Sequence, residues 1–153
     1  MDTKFDEIDR AILRLLQKDA TLSVDDISAQ VHLSRNACWR RIKLLEQAGI
    51  ITGRVTLVDP AKVGAPLTAM VLIRTNAHDA GWMTKFQTTL RAMPEIVGAY
   101  RMTGDLDYVL RVRLADVPAY DAFYKRLTSQ ISVSDISASF VMEEIKETTA
   151  VPL

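Results

Sequence analysis

The sequence predicts an α+β protein in which an N-terminal helix-turn-helix unit is joined to a C-terminal ferredoxin-like βαββαβ domain. Two observations predict this class. Before Gly49, apolar residues recur at helical spacing, and beyond Leu67 strand-like segments alternate with amphipathic helices. The expected boundaries are residues 1–52 for the helix-turn-helix, 53–66 for a connecting strand and linker, and 67–153 for the second domain.

The N-terminal part contains three predicted helices, each with a recognisable start. Asp6 is a good N-cap for the first, Ser23 stands three residues before Asp26 as in a capping box, and Ser34 can cap the third. Gly49 ends the third helix in the C′ position. The short spacing of the last two helices is typical of a helix-turn-helix. The buried face of the third helix then carries Cys38, Ile42 and Leu45.

The second half begins after an alternating, β-branched stretch at residues 50–59 and a Pro/Gly-rich linker. The segment 67–74 is apolar on both faces and predicts a covered strand. The elements that follow are a helix ended by Pro94, strands at 96–103 and 106–114 joined by a tight Gly-Asp hairpin, a helix opened by Asp116 and Pro118, and a strand at 137–145. Since helices usually cover one face of such a sheet, we expect a homodimer to cover the other.

Composition narrows the function classes. The chain has 153 residues and a formal net charge of zero, which argues against a protein that holds nucleic acid by bulk charge. A single cysteine excludes an intramolecular disulfide framework and fits a reducing compartment. The charged start lacks a signal-peptide pattern and no apolar run reaches a membrane-spanning length, so we expect a cytoplasmic protein that does not engage a membrane.

The strongest functional signal is a local cluster of cations on the third helix, with no acid between positions 35 and 43. Arginine, lysine and asparagine supply the donors that read base edges in the major groove, although most charge runs are only solvated helix faces. Residues in the N-terminal half of the helix are expected at or near bases, and the later cations at phosphates. The base-contact candidates are Arg35, Asn36, Trp39 and Arg40, and the phosphate candidates are Arg41 and Lys43.

Two serines complete the candidate DNA-binding set, Ser23 and Ser34, each at a helix N-terminus. The backbone amides around Ser23 could hold a phosphate, although plain capping explains this serine as well. Trp39 lies on the flank of the helix and could instead pack against the first helix or a partner subunit. Cys38 is expected to be a core residue rather than a redox switch.

Several segments, in order and spacing, resemble the Lrp/AsnC (feast/famine) transcriptional regulators. They are DEIDRAILRLLQKDA, LSRNACWRRIKLLEQAGII, GRVTLVDPAKVG and MPEIVGAYRMTGDLDYVLRV. The resemblance covers nearly the whole chain. It implies a winged helix-turn-helix that binds double-stranded DNA, and a RAM/ACT-like ligand-binding domain that dimerises through its sheet and assembles into tetramers or octamers. NACWRRIKLLE, MTGDLDY and SFVMEEIKETTAVPL resemble the branch of regulators that respond to cysteine.

The same resemblance implies an amino-acid effector site at the TGDLDY segment, between neighbouring dimers. Gly104 allows close backbone approach, and Asp105 or Asp107 can meet an α-ammonium group. Leu106 stands where many relatives have an aromatic residue, which affects the pocket shape. Without the resemblance, Gly104 and Asp105 would be interpreted as a turn. The candidate effector residues are Thr103, Gly104, Asp105, Asp107, Tyr108, Ser132, Ser134 and Asp135.

The expected function is thus a sequence-specific regulator of amino-acid metabolism controlled by an amino acid. Two alternatives stay open: an architectural DNA-binding protein without an effector, and a ferredoxin-like metabolic enzyme or sensor. No Ser/His/Asp order, Walker loop or CxxC pair supports an enzyme. We therefore expect no catalytic residues, no metal site and no cofactor.

Overall fold

The computed structural model describes residues 5–77 and 79–153, which form two compact units. One unit runs to Thr56 and also includes Lys146–Leu153, and the other is Leu57–Ile145. This division differs from the expected boundaries at the C-terminal end, because the last eight residues group with the helix-turn-helix. None of the helices in the described part of the chain combines the length and apolar content that a membrane crossing requires.

The first unit contains the expected helices α1 (Glu7–Lys18), α2 (Val24–Gln30) and α3 (Arg35–Gln47). The predicted caps are confirmed: Asp6 and Ser23 each form a capping box, and Ser34 Oγ accepts a hydrogen bond from the backbone N–H of Ala37. Gly49 follows α3 with φ +69°, as its C′ position requires. The helices bury an apolar cluster formed by Ile12, Leu13, Ile27, Cys38, Ile42 and Leu45.

The C-terminal segment packs on α1 within this unit. The side-chain amide of Gln17 donates to the carbonyl of Val151 at 3.2 Å, and Gln17 Oε1 accepts from the Val151 N–H at 2.6 Å. Arg14 Nε donates to the main-chain oxygen of Leu153 at 3.0 Å, and the Leu153 side chain packs against the helical core. These contacts join residues more than 130 positions apart, since their separations are 134 and 139.

The second unit confirms the βαββαβ order. Its elements are β1 (Leu67–Arg74), α4 (Ala80–Ala92), β2 (Ile96–Arg101), β3 (Tyr108–Leu114), α5 (Val117–Gln130) and β4 (Asp135–Phe140). The strands form an antiparallel sheet in the order β2-β3-β1-β4. Alternate residues of β1 and β3, such as Val71 and Leu110, are fully buried with Phe86 of α4 and Phe123 of α5.

Three details differ from expectation. The segment 53–59 forms no strand within the described chain, and its apolar residues Val55 and Leu57 are 77% and 73% exposed. The link between β2 and β3 is not a tight hairpin, since residues 102–107 lie outside both strands. The last strand occupies Asp135–Phe140 and not 137–145.

The second face of the sheet carries apolar residues without full cover. Val97 is 47% exposed, and Met70, Leu72, Val109 and Val141 are half-buried. This pattern fits a face that a second copy of the chain would cover.

Candidate DNA-binding and effector sites

The outer surface of α3 presents a polar face formed by Asn36, Arg40 and Lys43, all exposed. Residues at intervals of three and four lie side by side on a helix, so these donors form one stripe. Arg40 has no ion pair or hydrogen bond with any described residue, and its guanidinium is therefore available. Trp39 flanks the stripe and is 54% exposed, so it does not pack into the core of its own unit.

Two other cations of this surface have partners on the protein. Arg35 Nε lies 3.0 Å from Asp25 Oδ1, and Lys43 Nζ lies 2.8 Å from Glu46 Oε2. The hydrogen bond from Lys43, with help from Arg54, lowers the pKa of the Glu46 carboxyl below its usual value. Because ion pairs at the protein surface contribute little stability, about 0 to 1 kcal/mol, either cation can exchange its carboxylate for a phosphate.

Arg41 occupies a different environment from the other cations of α3. Its Nη1 contacts both carboxylate oxygens of Asp6 at 2.9 and 3.0 Å and Asp9 Oδ1 at 2.9 Å. The Asp9 side chain is only 4% exposed, whereas Arg41 is 29% exposed. These carboxylates raise the pKa of Arg41, chiefly through its hydrogen bond with Asp9. This geometry favours a role in holding α3 against the start of α1 over the expected phosphate contact.

The two candidate serines both act as caps. The Ser23 hydroxyl donates to Asp26 Oδ2 at 2.6 Å and accepts from the Asp26 N–H at 3.1 Å. Two acids, Asp25 and Asp26, lie in the first turn of α2 and disfavour a phosphate there. Capping therefore accounts for Ser23. Ser34 is exposed at the N-terminus of α3, beside the polar stripe.

The turn between α2 and α3 contains a backbone feature that the sequence analysis missed. His32 has φ +55°, in the left-handed region, and the Leu33 N–H donates to the Ser28 carbonyl at 3.0 Å. Among residues other than glycine, histidine is one of the few that is enriched in this region. A glycine at position 32 would have marked the turn more clearly.

The two predicted effector segments lie at the same edge of the sheet. Strand β1 pairs antiparallel with β3 on one side and β4 on the other, with Ile73 opposite Tyr108 and Arg74 opposite Asp135. Residues 103–107 immediately precede β3, and residues 132–134 immediately precede β4. Both segments therefore flank the end of β1, as an effector site built from both requires.

A residue outside the predicted set connects these segments. Arg74 Nε donates to the carbonyl of Asp105 at 2.9 Å, and Arg74 Nη1 pairs with Asp135 Oδ2 at 3.2 Å. The Ser134 N–H donates to the carbonyl of Arg74 at 3.0 Å. Trp82 adds a hydrogen bond from its indole N–H to the Ser132 carbonyl at 2.8 Å. Sequence alone did not single out Arg74, because a cation at a strand end is common.

Some of the remaining effector candidates are exposed, and another already forms a hydrogen bond within the domain. Thr103, Gly104 and Asp105 are exposed, and Gly104 has φ +99°, a conformation that favours glycine. Asp107 Oδ2 accepts the Thr75 N–H at 2.8 Å, which ties this carboxylate to the end of β1. Asp105 is therefore the better candidate for an ammonium group.

Tyr108 differs from the expected effector contact. The residue is 6% exposed, its ring centroid lies 4.5 Å from that of Phe86, and its hydroxyl lies 3.4 Å from Met83 Sδ. Its ring is thus part of the domain core, and this geometry does not support direct contact with a ligand.

Comparisons with known proteins assign a domain family to each half of the chain. The model of the Lrp/AsnC ligand binding domain matches residues 68–151, and a winged helix-turn-helix DNA-binding model matches residues 5–52. The chain belongs to the Lrp/AsnC family. As a member, it is a DNA-binding transcriptional regulator and not an enzyme.

Individual relatives of the Lrp/AsnC family match along nearly the whole chain. The DNA-binding transcriptional activator DecR of Escherichia coli K12 is 48% identical over 149 residues, which cover 97% of this chain and 98% of DecR. An AsnC family transcriptional regulator from Agrobacterium tumefaciens has 49% identity and a TM-score of 0.93, with 96% of each chain covered. A transcriptional regulator from Neisseria meningitidis, solved with L-methionine, has 34% identity and a TM-score of 0.92, again with 96% of each chain covered. These matches confirm the predicted fold class.

Proposed function

We propose that this Lrp/AsnC regulator recognises its operator through the polar stripe of α3, and that an amino acid bound at the β1 edge of the second unit controls binding. The proposal depends mainly on Arg40, which is exposed and unpaired within the described chain, beside exposed Asn36. An arginine can donate two hydrogen bonds to guanine and an asparagine can pair with adenine.

The other residues of the DNA-binding surface have supporting roles. Arg35 and Trp39 flank the stripe near the N-terminus of α3, the half of a recognition helix that contacts bases. Lys43 lies one turn later, where a phosphate contact can replace its pair with Glu46. Ser34 exposes its hydroxyl at the same helix end.

The effector site is supported by the convergence of its two segments at one sheet edge. Asp105 is an exposed carboxylate that can meet an α-ammonium group, and Thr103 and Ser134 add exposed hydroxyls. The Neisseria relative was solved with L-methionine, which supports a ligand of the amino-acid class. The likeness to the cysteine-responsive branch makes cysteine the ligand to test first.

The second face of the sheet supports a homodimer, and the family resemblance supports tetramers or octamers. Two recognition helices of a dimer should engage half-sites about 34 Å apart, or a multiple of that distance. We infer that the effector selects among assemblies that space these helices differently. The target genes then belong to amino-acid metabolism, and the protein acts in the cytoplasm.

The test is binding of the full chain to DNA upstream of its own gene, by gel shift at fixed salt. Each of the twenty amino acids is added in turn, with cysteine kept reduced. We expect a specific shift that one amino acid alters. A shift that no amino acid changes would favour the architectural alternative, in which residues 103–107 form only a structural turn.

Matched variants separate the two halves of this proposal. Asp105→Asn should weaken the response to the amino acid and leave binding without it intact. Arg40→Ala should weaken specific binding to the operator both with and without the amino acid. Lys125→Ala is the control for removing a cation, because Lys125 is an exposed residue of α5 that pairs only with Asp121 in the described chain.

A further inference from the structure

We propose that Arg74 is the positioning residue of the effector site, because it holds both effector segments before a ligand arrives. This inference rests on the proposed function, since it concerns the same site. It adds a residue that neither the sequence pattern nor the comparisons assign.

The contacts of Arg74 are unusual in that they reach both segments. Its guanidinium contacts the Asp105 carbonyl through Nε at 2.9 Å and Asp135 Oδ2 through Nη1 at 3.2 Å. Its main-chain carbonyl also accepts the Ser134 N–H at 3.0 Å, a contact that substitution of the side chain leaves in place. By contrast, the hydrogen bonds of Thr75 to Asp107 and of Trp82 to Ser132 each hold one segment.

Guanidinium geometry explains why arginine suits this position. Its planar, fixed donors can contact a carbonyl and a carboxylate at the same time, whereas a lysine ammonium acts as a single point charge on a flexible stem. We therefore expect Arg74→Lys to keep the attraction to Asp135 and to lose the simultaneous contact with Asp105.

Exposure decides where the effect of a substitution appears. The side chains of Arg74 and Asp135 are 51% and 56% exposed, and exposed pairs contribute little to global stability. Loss of Arg74 should thus leave the sheet folded but let both segments move. A ligand must then order them as it binds, which lowers its affinity. Lowered ligand affinity with unchanged global stability would indicate a positioning role, whereas loss of both would indicate a structural one.

The experiment uses the full chain as wild type, Arg74→Ala and Arg74→Lys. The matched control is Arg91→Ala, an exposed cation of α4 without a partner in the described chain. Three quantities are measured: hydrogen exchange of residues 103–107 and 132–135 without ligand, the midpoint of thermal unfolding, and the amino-acid concentration that gives half of the change in operator binding.

For Arg74→Ala we expect faster exchange in both segments and a nearly unchanged unfolding midpoint. The half-effect concentration should rise roughly tenfold, as expected when a binding site must be ordered by its ligand. Arg74→Lys should lie between wild type and Arg74→Ala, and Arg91→Ala should match wild type.

The inference is overturned if both segments exchange as in wild type, or if exchange rises while the half-effect concentration stays the same. It is also overturned if the unfolding midpoint of Arg74→Ala falls clearly below that of wild type and Arg91→Ala, because Arg74 would then stabilise the whole fold. A wild type that responds to no amino acid would refute the effector part of the proposed function. The exchange comparison would still decide whether Arg74 holds the two segments.

Discussion

Substitution of Arg41 by methionine tests whether this cation holds α3 in place or contacts DNA. Methionine keeps much of the aliphatic volume and removes the charge. In the structure, Arg41 Nη1 lies 2.9 Å from Asp9 Oδ1 and 2.9 Å from Asp6 Oδ2. Among the described residues, the substitution would leave the Asp9 carboxylate, only 4% exposed, with one hydrogen bond, from the Asp6 N–H at 3.2 Å.

The expected loss of stability follows from that buried carboxylate. Removal of one partner from a buried ion pair lowers the free energy of unfolding by 3 to 5 kcal/mol, and since Arg41 is partly exposed we expect about 2 to 3 kcal/mol here. Arg40→Met is the matched control, because an exposed, unpaired cation should change stability by no more than about 0.5 kcal/mol.

The assay combines urea unfolding with gel shifts at several salt concentrations. Arg41→Met should unfold at lower urea, while the salt dependence of its DNA binding, measured where the variant is folded, keeps the wild-type slope. If Arg41→Met is as stable as Arg40→Met and its salt slope falls by about 1, then Arg41 contacts a phosphate and does not hold α3.

The pH dependence provides a second check on the same cluster. The backbone hydrogen bond from Asp9, together with Arg41, lowers the pKa of Asp6 from its usual value. A carboxyl with a lowered pKa in the folded state stabilises the fold above its unfolded pKa, and this contribution is lost as the pH falls through the folded pKa. Stability should therefore fall in acid, and Arg41→Met should show a weaker fall than wild type.

Three further predictions concern other parts of the first unit. His32→Val should lower the free energy of unfolding by roughly 1 to 2 kcal/mol, since a β-branched residue is strained at φ +55°, whereas His32→Gly should relieve that strain. Urea unfolding measures both variants, and equal stability of the two would show that the backbone conformation at residue 32 has no such cost. Burial raises the pKa of the Cys38 thiol, so iodoacetamide should alkylate it much more slowly in the folded protein than in urea, and equal rates would mean that the thiol is accessible. Leu153→Asp should speed hydrogen exchange in α1 without affecting the sheet, and unchanged exchange would show that the C-terminal segment does not stabilise this helix.

The sequence predicted the helices well because their signals are local. The caps at Asp6 and Ser23, the C′ glycine at position 49 and the apolar spacing of α3 lie within the elements they define. The βαββαβ order followed from the same kind of pattern. Once this order is recognised, the common ferredoxin-like arrangement determines which strands are neighbours in the sheet.

The sequence could not predict interactions between distant residues. The contacts of Arg41 with Asp6 and Asp9 were not predicted, because these partners lie 35 and 32 positions earlier in the chain. The docking of Leu153 on α1 and the bridge from Arg74 to Asp135 are non-local in the same way. Tyr108 belonged to a motif that matched the family, yet its burial depends on the aromatic residues of α4.

The connecting segment shows a different limit. Alternation at residues 53–59 predicts a strand, but a strand needs a partner, and no described strand of the same chain pairs with it. Its exposed Val55 and Leu57 are consistent with pairing that requires a second chain.

The most direct test of the account compares wild type, Arg40→Ala and the control Lys125→Ala for affinity to operator DNA and to scrambled DNA of equal length, at one salt concentration. If the stripe of α3 reads bases, Arg40→Ala should lose about 1 to 3 kcal/mol of operator affinity, and discrimination between the two DNAs should fall with it. Lys125→Ala should behave as wild type. Equal operator affinity for Arg40→Ala and wild type would mean that sequence recognition lies elsewhere on the protein.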